Sequence, residues 1–323
     1  MRHHAEDGNQ YHGLERLQEW EALRFGMFIH FGINTFTGRP FDGFRPPAET
    51  YAPSRLDVTQ WLDVACEIGA GYAVLVTKHN PGFCLWPSRL TDYTVAASLT
   101  NTTDVVGAFV DACRDRGIRP GLYYNWYDMY KLPEDETECP GRDVDTARVV
   151  KAITYSDRYW EYATGQVREL LSMYGPVEMM WFDRGSTPGP ERVREVYKLC
   201  HELQPDVLVL NNQANREGLY SGCWPLDVMN RENGPPPAAG HDPWMTIEDS
   251  RHYVPMEVCY RATTRWVHTM DNEPLPVDEL VKIWRNSVGR GANLLLNLPP
   301  DRSGRIPERF VAPVREMKKR VND

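Results

Sequence analysis

The seven cysteines, at positions 66, 84, 113, 139, 200, 223 and 259, contain no CxxC pair, and their number is odd. Neither a zinc ribbon nor a complete disulfide framework fits that spacing, so reduced thiols are expected. Basic charge is short as well, with 36 Lys and Arg against 45 Asp and Glu, a net charge of -9. Nucleic acid and anionic membranes both need a basic footprint and are not expected as partners. No apolar run reaches membrane-spanning length, and the opening MRHHAEDGNQYHG has no apolar stretch of a secretory signal. The expected location is cytoplasmic. His3 and His4 read as part of a flexible polar segment over residues 1–15 rather than as a metal site. HxH and HExxH spacings, internal repeats and low-complexity tracts are all missing.

What the chain does have is aromatic residues, 10 Trp and 16 Tyr, and an alternation of apolar runs with amphipathic stretches. The runs 24–33, 72–79, 119–126, 177–183, 206–212 and 293–299 read as buried parallel strands. Between them, Val105, Val106, Phe109, Val110 and Cys113 recur at helical spacing behind the cap candidates Thr102 and Thr103, with Gly117 as the stop. Trp160, Ala163, Val167, Leu170 and Tyr174 do the same ahead of Gly175-Pro176. Further helices are expected at 58–68, 191–203, 276–289 and 307–320. This order predicts an α/β fold, a TIM-like (β/α)8 barrel with room for irregular or missing helices, forming one domain over residues 16–323. The stretch 213–254 carries so much Gly, Pro and Asn that it reads as one long irregular loop.

In such a barrel the reacting groups collect at the carboxyl ends of the strands. Those ends here carry His30, then His79 and Asn80, then Tyr123 through Trp126, then Trp181 and Asp183, then Asn211 and Asn212. Asp183 terminates the apolar run VEMMWF, where a carboxylate at the rim of a core is costly without a task. Trp181 shares its face, two residues back. An indole platform beside a carboxylate suits a sugar, which presents both C–H faces and hydroxyls.

Taken in order, RFGMFIHFG, AGYAVLVTKHNPGFCLW with TDYTV behind it, GLYY, WFD and SVGRGANLLLNLPPDRSGRIP resemble the retaining α-L-fucosidases of glycoside hydrolase family 29. The resemblance runs from about Arg24 to Pro307. It implies a (β/α)8-like barrel that releases terminal α-L-fucose from a fucosylated oligosaccharide or glycoconjugate with retention, using no metal and no organic cofactor. Position by position, it makes Asp183 the nucleophile and places His30, His79, Tyr123 and Trp181 around the fucose ring. Its acid/base position, in a loop five residues beyond an aspartate, falls on Glu232 after Asp227, with Glu257 in PMEVCY as runner-up. The chain departs from the family pattern twice. Asn80 stands where a second sugar-contacting histidine is usual, and Gln213 stands where relatives place an arginine, so both are read as substrate-binding positions that tune glycone or linkage preference. With MKKRVND following soon after the barrel motifs, the C-terminal β-sandwich that many relatives carry is not expected.

Two other readings compete with this one. A carbohydrate-binding pseudoenzyme on the same barrel would account for Asn80 and Gln213, although a pure binder has no need of Asp183. A metal-dependent hydrolase could use His30, His79 and Asp183 as ligands, but the sequence offers none of the usual metal-binding spacings.

Overall fold

The computed structural model describes residues 10–38, 46–129, 153–212, 223–234 and 237–322. Eight parallel strands close into a barrel: β1 (Phe25–Ile29), β2 (Tyr72–Lys78), β3 (Arg119–Asn125), β4 (Met179–Asp183), β5 (Leu208–Asn211), β6 (Val228–Glu232), β9 (Met256–Arg261) and β10 (Asn293–Asn297). Closure is made by β1 on β10, with Phe25 opposite Leu294 and Phe28 opposite Asn297. A hairpin of β7 (Trp244–Ile247) and β8 (Ser250–Tyr253) lies between β6 and β9 in the chain. The (β/α)8-type fold is therefore as the sequence predicts, and among the described residues β6 is followed by the hairpin rather than by a helix.

Helices sit where the apolar periodicity puts them, and their ends follow capping chemistry. The helix Val105–Asp115 starts one residue later than the Thr102–Thr103 reading, because the Asp104 carboxylate accepts from the Gly107 amide. Asp57 and Ser156 cap Val58–Glu67 and Asp157–Met173 in the same way. Val105, Val106, Phe109, Val110 and Cys113 all face the barrel and are buried. Each large apolar side chain so buried contributes about 1.5–3 kcal/mol, so Phe109→Ala should cost roughly 3–5 kcal/mol.

The stretch expected to be one loop over 213–254 contains β6 and the hairpin, and β9 follows it. Periodicity misses β6 because its inward residues beyond Val228 are Asn230 and Glu232, so VMNRE shows no apolar alternation. At the other end of the chain, the expectation of a loose segment up to residue 15 does not hold for its described part. Gln10 and His12 are buried, and Gln10 Nε2 donates to the Tyr253 carbonyl at 2.9 Å. The helix Leu14–Glu21 then plugs the amino end of the barrel with Leu17 and Trp20, packed among Tyr72 and Leu295.

Inward positions alternate along every strand, as the pleat requires. Phe28, Val74, Tyr123, Met179, Trp181, Leu208, Leu210, Val228, Cys259 and Leu295 fill the lower and middle barrel with apolar mass. Polar groups gather at the carboxyl ends, apart from an inner cluster of Glu257, Asn230 and the Tyr72 hydroxyl. In β2 the register shifts between Val76 and Lys78, and this irregularity re-aims the strand end. Lys78 turns out of the barrel onto Asp128 at 3.2 Å, and His79 faces in, stacked on Tyr123.

Candidate active site

Asp183, the last residue of β4, faces four donors. Its Oδ2 accepts from the Tyr123 hydroxyl at 2.7 Å and from Asn125 Nδ2 at 3.0 Å. Its Oδ1 accepts from Asn212 Nδ2 at 2.8 Å and from the Arg184 amide at 2.9 Å. Only an ionised carboxylate is acceptor-only, so this shell suits the charged form. The last of these bonds depends on a backbone turn: Arg184 adopts φ 60°, in the left-handed region that non-glycine residues rarely occupy. Gly185 then lets the turn fold back onto β5, since a Cβ there would lie 2.6 Å from that of Asn211. That approach is what carries Asn212 to the carboxylate.

The second carboxylate, Glu232, closes β6, a strand end and not a loop as the sequence suggested. Asn212 Nδ2 donates one hydrogen to Asp183 and the other to Glu232 Oε2 at 2.7 Å. With 2.8 Å on one side and 2.7 Å on the other, the two carboxylate oxygens can be no more than about 5.5 Å apart. Glu232 is open to solvent at the barrel mouth, yet protein on its inner side strips water from part of its surroundings. That desolvation, followed by the negative charge of Asp183, raises the Glu232 carboxyl above the usual range.

Glu257 is placed differently from an acid/base residue. It is fully buried near the start of β9, inside the barrel. Oε1 accepts from Trp181 Nε1 at 2.9 Å and Asn230 Nδ2 at 2.8 Å, while Oε2 accepts from the Tyr72 hydroxyl at 2.7 Å. Burial raises its carboxyl to about 7. Its contacts hold Trp181 from below, and neither of its oxygens faces solvent, unlike those of Glu232.

Trp181 stacks on Tyr123, with centroids 5.2 Å apart, and Tyr123 stacks on His79 at 5.6 Å, forming a continuous aromatic wall. His30 completes it opposite Trp266, 5.0 Å away. Burial above all lowers both histidines to about 3, helped at His30 by the nearby His79 ring and at His79 by the Arg184 guanidinium, so both are neutral at physiological pH. Their tautomers are assigned from the network. Asn297 Nδ2 donates to the Trp266 carbonyl at 2.8 Å, so its Oδ1 accepts from His30 Nδ1 at 2.7 Å, leaving His30 Nε2 as an acceptor. His79 Nδ1 accepts from the Asn80 amide at 2.8 Å, which makes His79 Nε2 a donor. The pair thus offers one acceptor and one donor, neither carrying charge.

Asn80 is buried, and its Oδ1 accepts from Asn125 Nδ2 at 2.7 Å, so it acts on Asp183 through Asn125. Gln213 lies outside the described residues. Sequence reasoning missed Asn297, Trp266 and the turn at Arg184. Asn297 was findable as the polar end of the apolar run NLLLN; Trp266 lies beyond a strand in irregular chain and leaves no periodic signal. Of the paired Asn211 and Asn212, only Asn212 reaches the site, while Asn211 donates to the Cys223 carbonyl at 2.9 Å.

An eight-stranded parallel barrel with two adjacent carboxylates and an aromatic wall at its carboxyl mouth has the layout of a glycoside hydrolase catalytic domain. The family model described as Alpha-L-fucosidase matches residues 39–322, and the chain belongs to that family. It is 30% identical over 323 residues to Alpha-L-fucosidase 1 of Arabidopsis thaliana, covering 94% of this chain and 59% of the plant sequence. Among solved structures, α-L-fucosidase isoenzyme 1 from Paenibacillus thiaminolyticus superposes with a TM-score of 0.75 at 28% identity, over 95% of this chain and 75% of that one. A glycoside hydrolase 29 family member from a rumen bacterium shares the fold, with a TM-score of 0.78 at 24% identity over 95% of this chain and 56% of its own. The chain spans between half and two thirds of the length of the plant relatives it matches.

Proposed function

We propose that the chain is a retaining exo-glycosidase that releases terminal α-L-fucose from a fucosylated glycan, with Asp183 as nucleophile and Glu232 as acid/base. The observation that carries this is the single Asn212 nitrogen bonded to both carboxylates, which limits their oxygens to about 5.5 Å. Retaining glycosidases hold their two carboxyl groups about 5–5.5 Å apart, whereas inverting enzymes leave roughly 6.5–9.5 Å for a water molecule.

In the first step protonated Glu232 gives its proton to the glycosidic oxygen as Asp183 attacks the anomeric carbon. The bond to the aglycone breaks and a fucosyl ester forms on Asp183. Esterification removes the Asp183 charge, one of the two causes that raise the Glu232 carboxyl. Glu232, left as a carboxylate by the first proton transfer and no longer pushed up by that charge, then takes a proton from water in the second step. Tyr123, Asn125, Asn212 and the Arg184 amide fix the nucleophile throughout. Trp181, Tyr123 and Trp266 offer apolar surface to the C–H faces of the sugar, and His30 and His79 offer uncharged hydrogen bonds to its hydroxyls.

The test is hydrolysis of an aryl α-L-fucoside followed by NMR from the first seconds, with and without EDTA. Release of α-fucose first, unaffected by chelator, is the expected result. β-Fucose at early time would mean inversion, and loss of turnover on chelation restored by zinc would favour the metal-dependent reading.

A further inference from the structure

Away from the barrel mouth, the described residues contain one group of three metal-type ligands brought together by the fold: His12, His201 and Asp227. His12 lies in the segment before the first helix, His201 in the last turn of Pro190–Leu203, and Asp227 immediately ahead of β6. All three are buried. Their ligand atoms converge, with His201 Nε2 3.3 Å from His12 Nε2 and 3.5 Å from Asp227 Oδ2, and the whole set within 4.8 Å.

The orientation of His201 makes this more than a chance cluster. Its Nδ1 contacts the Tyr197 carbonyl at 2.8 Å, one helical turn back, and a carbonyl can only accept. Nδ1 therefore carries hydrogen, and in the neutral ring the Nε2 lone pair points at a carboxylate oxygen. Asp227 Oδ2 accepts from the Val209 amide at 2.8 Å, and its remaining electron pair faces that of His201 at 3.5 Å, an arrangement in a buried pocket that calls for a positive centre between them. The surroundings are those of a metal ligand set. The far nitrogen of His201 is bonded to a backbone carbonyl, and the far oxygen of Asp227 accepts from the Tyr197 hydroxyl at 2.7 Å.

We propose that His12, His201 and Asp227 form a structural site for a zinc-class divalent cation. Zinc–nitrogen bonds of about 2.0–2.1 Å in a tetrahedron place neighbouring ligands roughly 3.3 Å apart, which matches the 3.3 and 3.5 Å separations. The Val207 carbonyl now accepts from His12 Nε2 at 2.8 Å and would serve as fourth donor once that hydrogen has left. On binding, the hydrogen on His12 Nε2 moves to Nδ1 by the ordinary tautomer shift, so the ligand set stays one carboxylate, two neutral imidazoles and a carbonyl. The ion would fasten the amino-terminal segment and the helix Pro190–Leu203 to the start of β6, the strand whose far end carries Glu232. It touches no group of the reaction.

The test uses the full chain freed of metal by chelation and titrated with Co2+, read by visible absorption and thermal unfolding, with Zn2+ as competitor. One equivalent of Co2+ should bind with tetrahedral-type bands, Zn2+ should displace it, and Tm should rise by several degrees. His12→Ala lies ahead of the first helix and should fold; it should lose about 100-fold or more in affinity and lose the Tm rise, while metal-free turnover at room temperature is unchanged. His201→Gln gives a second check on affinity. Absence of stoichiometric binding overturns the proposal, as does binding that survives His12→Ala, which would mark an ion held elsewhere, such as by His3 and His4. A Tm that follows pH but ignores metal would also overturn it, since a proton on His201 would then be the positive centre.

Discussion

Trp181 donates its indole N–H to Glu257 Oε1 at 2.9 Å, deep in the barrel and beneath the wall that Trp181 shares with Tyr123. Glu257 is thereby coupled to the site through an aromatic ring. Burial raises its carboxyl from 4.5 to about 7, so the fold favours the protonated form. The stability this contributes is fully present below about pH 4.5 and is lost as pH rises through about 7. Glu257→Gln, which removes the titration and keeps the shape, should flatten the fall of Tm across that window relative to the parent. The ratio of rates on good and poor leaving groups should stay as in the parent. A selective loss on poor leaving groups would move the acid/base role to Glu257.

Glu232 is expected to give the opposite result. A good leaving group departs without a proton, so loss of the general acid matters most for poor ones. Glu232→Ala should cripple cleavage of a natural fucosyl linkage, spare much of the first step on a dinitrophenyl fucoside, and flatten the basic limb of the pH profile. Asp183→Ala, by contrast, should lower kcat by at least ~10³ on both substrates with the fold intact. Near-normal turnover in Asp183→Ala would remove the nucleophile assignment.

The barrel was legible from sequence because its fully buried strands read as apolar runs and its helices as 3.6-residue periodicity. Six of the eight strands stand out in this way. The two that do not, β6 and β9, bring polar groups such as Asn230, Glu232, Glu257 and Arg261 to the inside, which erases the apolar signal. Asp183 was visible for a converse reason, as a lone carboxylate ending an apolar strand. What could not be read was which polar neighbour meets which. Asn211 and Asn212 look alike in sequence, and only the period-two pleat sends Asn212 to the carboxylates and Asn211 to Cys223. The inward turn of His79 likewise depends on the register shift after Val76, which no pattern in the sequence announces.

Asn80 was read as a sugar contact, and the structure adds that its Oδ1 accepts from Asn125 Nδ2, a donor to Asp183. Replacing it with the histidine usual in the family should alter both the sugar-facing surface and the support of the nucleophile. Asn80→His is expected to change the ratio of kcat/KM between aryl fucoside and aryl galactoside by at least about tenfold, a difference of about 1.4 kcal/mol in transition-state binding. Tm should move little. An unchanged ratio would show that position 80 does not face the sugar. Gln213→Arg can be measured in the same assay as a test of the second departure.

The shared nitrogen of Asn212 makes the sharpest test of the carboxylate pair. Its bond to Glu232 favours the ionised carboxylate and so opposes the rise caused by burial and by Asp183. Removing that bond leaves the two raising causes unopposed, so Glu232 should hold its proton to higher pH. The proposed first step needs Glu232 protonated, and the basic limb of the kcat/KM profile should therefore move to higher pH in Asn212→Ala. The maximal rate should fall, since Asp183 also loses a donor; removing one such bond to a charged group costs about 1.5–3 kcal/mol, or roughly 10- to 150-fold. A purely structural role for Asn212 would lower the rate without moving the limb. A limb that moves to lower pH, or stays in place, would show that the amide does not couple the two carboxylates.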